Sequence, residues 1–339
     1  MGLQIGEIIG KKEIVFSDLK GKTIGVDAFN AIYQFLTTIR QPDGTPLKDS
    51  KGNVTSHLSG LFYRNINLIL EGVKLIYIFD GKAPDLKSKT RDMRREVREE
   101  MRIKYEEAKQ REDIEGMGKY AKAEVYLDEQ KIAESKELLK AMGIAIVQAP
   151  GEGEAQASYL AEQRLVYAVG SQDYDCLMFK APRLIQNLSL ARRRKTISGY
   201  REVFPQMIEL KQVLEELEIN HEQLICLGIL CGTDYNPKGV KGLGPKKSLK
   251  FVKEYKSKEE IFDGVKNSGK YNFEFNWKEI YEEIANPKID RNVNIEFPHI
   301  DKKKIKDILM KYEFSEERID SQLAKLDEIK EKLKQKTLF

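Results

Sequence analysis

Apolar residues fall along this chain in two rhythms. Short β-branched runs occur at Thr23–Val26, Val73–Phe79, Ile144–Val147 and Leu165–Val169, and a further short run spans Arg183–Asn187; such runs predict strands. Between them lie longer stretches of helical period, from His57 to Leu70, in the residues after Glu152, over 207–219 and over His221–Cys231. A strand, a helix of about 14 residues from Glu152 and a second strand favour two parallel strands joined by a crossover helix. Residues 41–55, QPDGTPLKDSKGNVT, carry turn formers and no core pattern, so they predict a loop. Further on, Trp277 sits in an amphipathic helical stretch, Pro287 and Pro298 mark a connecting segment, and 302–334 carries two charged helices.

Carboxylates stand where the strands end. Asp27 closes the run from Thr23, and Asp80 closes VKLIYIF. Glu152 and Glu154 follow the strand at 144–147, and Asp173 and Asp175 follow the one at 165–169. In open α/β sheets ligands bind outside the carboxyl ends of the strands, so these six acids should meet at one edge. Two carboxylates ~5 Å apart repel by roughly 3 kcal/mol at an effective dielectric near 20. A cluster therefore needs protons or cations. The alternative is that Glu152 and Glu154 complement a helix N-terminus while the aspartates cap a loop.

Composition narrows the chemistry. Of 339 residues 33% are charged, yet the net charge is only +4, so the distribution of charge says more than its sum. The chain is long enough for one large α/β domain or two smaller ones. No apolar run approaches ~18 residues and no signal-peptide pattern appears, which argues against membrane spanning and secretion. Cys176, Cys226 and Cys231 lack zinc-ligand spacing, and His57, His221 and His299 are scattered. A metal here would be a hard cation held by oxygen.

Three basic segments stand out. Lys82–Lys104 has nine Lys or Arg against five acids and opens a helical pattern that runs to about Met142, broken at Gly116 and Gly118. Lys87 and Arg94, seven apart, can share a helix face directly after Asp80. Pro182–Arg201 has six basic residues and no acid, a composition suited to a phosphate backbone or to a plain surface loop. Between Asn236 and Lys250 there are five lysines and no acid, with Gly239, Gly242 and Gly244 before Pro245. A Gly-rich turn at a helix N-terminus exposes amides that bind phosphate without reading bases; a simple helix–turn–helix connector is the alternative.

In this order and spacing the motifs GVDAF, SHLSGLFYR, YIFDGKAPDLKS, APGEGEAQA, GSQDYDCL and LCGTDYNPKGVKGLGPKKSL are highly specific. Together they resemble the flap endonucleases, structure-specific 5′ nucleases of archaeal and eukaryotic type. The resemblance covers nearly the whole chain. It implies an α/β fold with a twisted, mostly parallel central sheet flanked by helices (PIN-like), a helical arch and a helix-hairpin-helix. It implies seven metal-site acids, adding Asp234 to the six above, and two Mg²⁺ ions, with Mn²⁺ as a substitute. Two such ions can activate a water and neutralise the leaving oxygen of a phosphodiester.

By the same resemblance Lys87 and Arg94 stabilise charge on the scissile phosphate, and Tyr33 stacks on an extruded nucleotide. Gly2 lies near the active site. Arg40, Thr55, Arg64 and Gly232 fall on DNA-contact positions, as do Glu152 and Asp234. Gly239, Lys241, Gly242, Gly244, Lys246 and Lys247 hold duplex backbone, with K⁺ at the hairpin. At the tail, Gln335 and Leu338 fit a sliding-clamp (PCNA) peptide that would continue with two aromatics; here Phe339 alone follows, so clamp binding is expected in weakened form.

The expected organisation is an N-terminal nuclease region (1–98), an arch or cap (99–142), an internal nuclease region (143–258, hairpin element about 221–255), a C-terminal helical region (259–330) and a clamp tail (331–339). The expected function is Mg²⁺-dependent cleavage of DNA 5′ flaps near the single-strand/double-strand junction, with 5′–3′ exonuclease action, in Okazaki fragment maturation and repair. Gapped or nicked duplex would also serve as substrate. A monomer without membrane attachment is expected, intracellular, and cytoplasmic if archaeal as the length suggests (nuclear if eukaryotic). The alternatives are a sibling 5′ nuclease acting on gaps, bubbles or Holliday junctions, and a non-catalytic, clamp-associated DNA-binding scaffold.

Overall fold

The run Lys74–Phe79 is apolar throughout because both of its faces are buried. Leu75, Tyr77 and Phe79 pack with Phe35, Phe62 and Leu139, whereas Ile76 and Ile78 pack with Leu160 and Val169 on the other side. Period-two alternation that is apolar on both faces marks an interior parallel strand. The computed structural model describes residues 3–41, 44–82, 84–111, 113, 116, 120, 126–188, 193–196 and 199–336.

In chain order the first half holds β1 (Lys12–Glu13), β2 (Thr23–Asp27), α1 (Ala28–Thr38), α2 (Ser56–Leu70), β3 (Lys74–Phe79) and α3 (Ser88–Gln110). Then come α4 (Glu129–Ala141), β4 (Ala145–Gln148), α5 (Gly153–Glu162), β5 (Ala168–Gly170), α6 (Asp175–Met178) and β6 (Arg183–Gln186). They are followed by β7 (Arg193–Thr196), β8 (Gly199–Glu202), β9 (Gln206–Glu209), α7 (Leu210–Leu217), α8 (His221–Cys231) and α9 (Pro245–Glu254). The last elements are α10 (Lys258–Asn267), α11 (Trp277–Ala285), α12 (Lys302–Lys311) and α13 (Glu316–Lys336).

Seven strands form one sheet in the order β1-β9-β6-β5-β2-β3-β4. The pairs β2–β3, β3–β4, β2–β5 and β5–β6 are parallel, while β9 runs antiparallel to β6 and β1. The mostly parallel sheet read from the sequence is therefore present. Its order reverses at β2, with β3 to one side and β5 to the other, which opens a crevice at their carboxyl ends. Helices α1, α2, α4, α12 and α13 cover one face, and α5, α8, α9, α10 and α11 lie against the other.

Two expectations needed correction. The stretch 207–219 is helical only from Leu210, because Gln206–Glu209 pairs antiparallel with β6 and completes the sheet. Likewise, Leu165 and Val166 both donate to the Leu160 carbonyl to close α5, so β5 starts only at Ala168. The basic run after Pro182 contains the antiparallel hairpin β7–β8. Of the helical pattern that continues to Met142, the described parts are α3 and α4; Gly118 lies outside the described residues.

The segment 287–300 has no regular secondary structure and crosses the back of α5. Gln156, fully buried on α5, donates to the Asp290 carbonyl at 2.9 Å and accepts from the Asp290 amide at 2.7 Å. This pairing substitutes for a strand partner. Gln156→Leu keeps the volume but deletes both bonds and strands two backbone groups, which should cost roughly 2–4 kcal/mol. Thermal melts of the variant and the parent check this; an unchanged Tm would mean that the strap is held by other contacts.

Candidate active site

The strand ends deliver their acids to one place. Asp27, the last residue of β2, accepts the Asn30 amide at 3.1 Å and so caps α1. Asp80 follows β3 and accepts the Gly153 amide at 2.6 Å; a Cβ on residue 153 would fall 2.6 Å from that same oxygen, so only glycine opens α5 here. The Gln148 amide holds the Asp80 carbonyl at 2.7 Å. Ser171 donates to Glu154 at 2.9 Å and accepts the Asp173 amide at 3.1 Å, and the Leu3 amide donates to Asp175 at 2.9 Å. Carboxylate oxygens of Glu154, Asp173 and Asp175 lie within 4.8 Å of one another.

Glu152 stands at the N-cap of α5 without a side-chain capping bond. Its carboxylate instead pairs with the Lys87 ammonium, which also lies 3.6 Å from Asp234, and accepts a 2.8 Å bond from the Tyr235 hydroxyl. Glu152 thus stands at the helix N-terminus but commits its carboxylate to Lys87 and Tyr235 rather than to a capping bond. Lys87 ends a single 3₁₀ turn, Asp85–Lys87, just before α3, and Thr90 one turn on donates to the Asp234 carbonyl at 2.5 Å. The base of α3 is bound in this way to the loop after α8.

The electrostatics record the crowding. Burial, then the charges of Asp27 and Glu152, push Asp80 up to about 7. Burial, with repulsion from Asp234 and Asp27, pushes Asp173 up to about 6. Glu154 and Asp175 are driven well above the usual carboxylate range, first by burial and then by Asp173, and burial also raises Asp27. For Lys87 burial works downward, but Glu152 and Asp234 outweigh it and hold the ammonium above its ordinary range. Clustered oxygen donors that ionise reluctantly without a cation fit a hard divalent metal. Among the described residues the group able to hold a metal consists of carboxylates alone: Cys176 is buried beside the acids without joining them, His57 is buried 2.8 Å from Glu134, and His221 meets the Leu177 carbonyl at 3.2 Å.

The hairpin between α8 and α9 follows from its glycines. Gly232, Gly239 and Gly242 have φ of +107°, +53° and +87°, and Gly244 is the N-cap of α9 with Pro245 as its first residue. A Cβ on Gly239 would meet the Cys231 carbonyl carbon at 2.5 Å. Lys241, Lys246 and Lys247 are exposed around this turn, with Lys247 3.3 Å from the Gly242 carbonyl.

The remaining candidates divide. Tyr33 is 49% exposed on α1. Arg40 donates to the Thr37 and Gly44 carbonyls at 2.9 and 2.6 Å and so braces its own loop. Arg64 is partly buried on α2, and Thr55 is buried with its amide 2.8 Å from the Leu47 carbonyl, a loop-holding position rather than an open surface. Gly2, Leu338, Phe339 and the side chains of Arg94 and Gln335 lie outside the described residues. Sequence reasoning passed over Tyr235, Ser171 and the Leu3 amide. Tyr235 stands beside Asp234 inside a quoted motif, but neither composition nor period distinguishes it from a core tyrosine.

Comparison with known proteins agrees with this geometry. The XPG N-terminal domain family matches residues 4–101, and the XPG I-region family matches residues 143–234. Flap endonuclease 1 of Thermococcus onnurineus is 48% identical over 341 residues, covering 100% of this chain and 98% of that protein. Flap endonuclease 1 of Hyperthermus butylicus is 46% identical over 332 residues, 96% of this chain and 94% of its own. Among solved structures, flap endonuclease-1 from Methanococcus jannaschii superposes with a TM-score of 0.74 at 41% identity, covering 96% of this chain and 98% of that one. The catalytic core of Rad2 in complex with a DNA substrate shares the fold at a TM-score of 0.71 and 23% identity, over 96% and 99% of the two chains. With strand-end acids gathered at the β2–β5 crevice and full-length relatives of this closeness, the chain belongs to the flap endonuclease 1 family.

Proposed function

We propose that this enzyme cuts DNA 5′ flaps near the single-strand/double-strand junction, with 5′–3′ exonuclease action on nicked or gapped duplex, in Okazaki fragment maturation and repair. The observation that carries the reading is the convergence of Glu154, Asp173 and Asp175 within 4.8 Å, close to a partly buried Lys87. Asp27, Asp80, Glu152 and Asp234 complete the donor set for two Mg²⁺ ions, with Mn²⁺ as a substitute. A cation pair bound there supplies Lewis-acid polarisation of the phosphodiester and a water of lowered pKa.

The chain's own groups do the rest. Buried carboxylates concentrate negative charge and fix the donors before substrate arrives. Lys87, already desolvated, offers positive charge where it develops on the scissile phosphate, and Arg94 on α3 adds to it. Exposed Tyr33 provides a stacking face for an unpaired base. The hairpin amides and Lys241, Lys246 and Lys247 grip duplex backbone, and the hairpin would also hold a K⁺ ion. Residues 99–142 form the cap over the single strand, and Gln335, Leu338 and Phe339 dock on a sliding clamp.

A double-flap substrate with a labelled 5′ end tests the reading directly. One dominant cut near the junction, dependent on Mg²⁺, is expected; preference for a four-way junction would overturn the flap assignment. Asp175→Ala and Asp80→Ala should each abolish cleavage while flap binding, read by anisotropy in EDTA, stays within about threefold. Persistent cleavage in both variants would refute the metal assignment. Lys87→Ala should slow single-turnover cleavage by roughly a hundredfold with little change in Kd; an unchanged rate would leave Lys87 a purely structural cation.

Metal and pH are linked. Asp80 and Asp173 titrate near 7 and 6 in the fold, against ~3.9 in an unfolded chain. Their folded pKa values are raised, so between about pH 4 and 7 the folded state keeps protons that the unfolded chain has lost, and metal-free stability falls as pH rises. The Tm gain on adding excess MgCl₂ should therefore grow from pH 5 to 8, and Asp80→Asn should flatten the metal-free slope. A gain independent of pH would contradict this.

A further inference from the structure

Tyr235 takes no part in the chemistry outlined above, yet it touches two of its members at once. Its hydroxyl donates to Glu152 at 2.8 Å, while the Lys87 ammonium sits 5.0 Å from the centre of its ring. The tyrosine is 8% exposed, so both contacts are made with little water. We infer that Tyr235 is a positioning residue for Lys87, its ring face holding the ammonium in line with Glu152 and Asp234 while its hydroxyl turns the Glu152 carboxylate toward the same point. The inference rests on the role proposed for Lys87.

Three arguments support it. The backbone of Lys87 is placed by a 3₁₀ turn at the start of α3, but a lysine stem has four rotatable bonds, so the groups around the ammonium must fix where its charge lies. An aromatic face attracts a cation over a broad area without consuming its three N–H donors. Lys87 can therefore exchange a carboxylate for a phosphate oxygen while the ring still holds it, whereas a third carboxylate in place of the ring would compete with the phosphate. Finally, Tyr235 is itself rigidly placed. Its amide donates to the Thr233 hydroxyl at 3.1 Å, that hydroxyl bonds Asn236 at 2.7 Å, and Asn236 donates to the Ile229 carbonyl of α8 at 2.7 Å. The turn that presents Asp234 thus also fixes the ring, and joins Lys87 to the first helix of the DNA-gripping hairpin.

A double-mutant cycle between Tyr235→Leu and Lys87→Ala tests this in the full-length protein, read by single-turnover cleavage of a double-flap substrate. Tyr235→Leu should slow the single-turnover rate by roughly tenfold to thirtyfold, the range open to a desolvated cation–π contact. Binding of the same substrate in EDTA should stay within about twofold, since the ring touches Lys87 rather than the DNA-gripping lysines. In the Lys87→Ala background the same change should cost less than about twofold, because the group that it positions is gone. Tyr235→Phe, which keeps the ring, should recover most of the rate. If Tyr235→Leu melts much lower than the parent, Tyr235→Met, closer to the ring in volume, takes its place in the cycle. Multiplicative losses, a parental rate for Tyr235→Leu, or a loss confined to DNA affinity would each overturn the inference. An inert Lys87→Ala would instead overturn the proposed role of Lys87, so the two failures are distinguishable.

Discussion

The folded chain holds carboxylates against one another, and the surrounding structure exists largely to withstand that. Glu154, Asp173 and Asp175 sit within 4.8 Å, where unscreened like charges cost several kcal/mol per pair. The Leu3 amide fixes Asp175 and the Ser171 hydroxyl fixes Glu154, while the Gly153 amide holds the neighbouring Asp80 and the Lys87 ammonium holds Glu152. Each comes from a different part of the chain, so relaxing the repulsion would mean moving several elements together. The apolar layers on both faces of the sheet resist that. The energy stored in crowding is available to a divalent cation, which binds the more tightly because its ligands are already assembled.

The same constraint explains the placement of positive charge. An exposed lysine would be drawn to the cluster transiently and released by salt. Lys87 is instead partly buried, its side chain 19% exposed beside Glu152, Asp234 and the Tyr235 ring, and the base of α3 is bound to the loop after α8. The base of α3 and the glycine-rich hairpin after α8 thereby belong to one packed unit. Groups that meet only phosphate and sugar fix register without reading bases, so a unit of this kind needs no base-reading surface.

Much of this was legible from residue order. The apolar runs located β2, β3 and β4 to within a residue or two; β2 and β3 are interior parallel strands and apolar on both faces, and β4, at the sheet edge, still buries Ala145 and Val147. The acids at their exits could be placed at one edge from topology rules alone, and six of the seven were. Asp234 was not, since it follows a helix and nothing in its neighbourhood marks it as facing the crevice. Strand β9 was missed because its residues also satisfy a helical period, and only the unpaired edge of β6 decides between the two. Tyr235 and Ser171 were invisible for a related reason: a tyrosine or serine acquires meaning here through a partner more than 15 residues away. Thr55 was legible as a position but not as an environment, since nothing in the sequence shows that it is buried against the loop before α2.

The sheet order carries a consequence for synthesis of the protein. Strand β2 lies between β5 and β3, so the crevice cannot close until the chain has returned from residue 168 to pair with residue 24. The acids that line it are drawn from position 27 through position 234. A growing chain on the ribosome therefore carries isolated aspartates long before it carries a site. The whole set of acids is present only once more than two thirds of the polypeptide has emerged, so the site is a property of the nearly finished chain and of no shorter N-terminal piece.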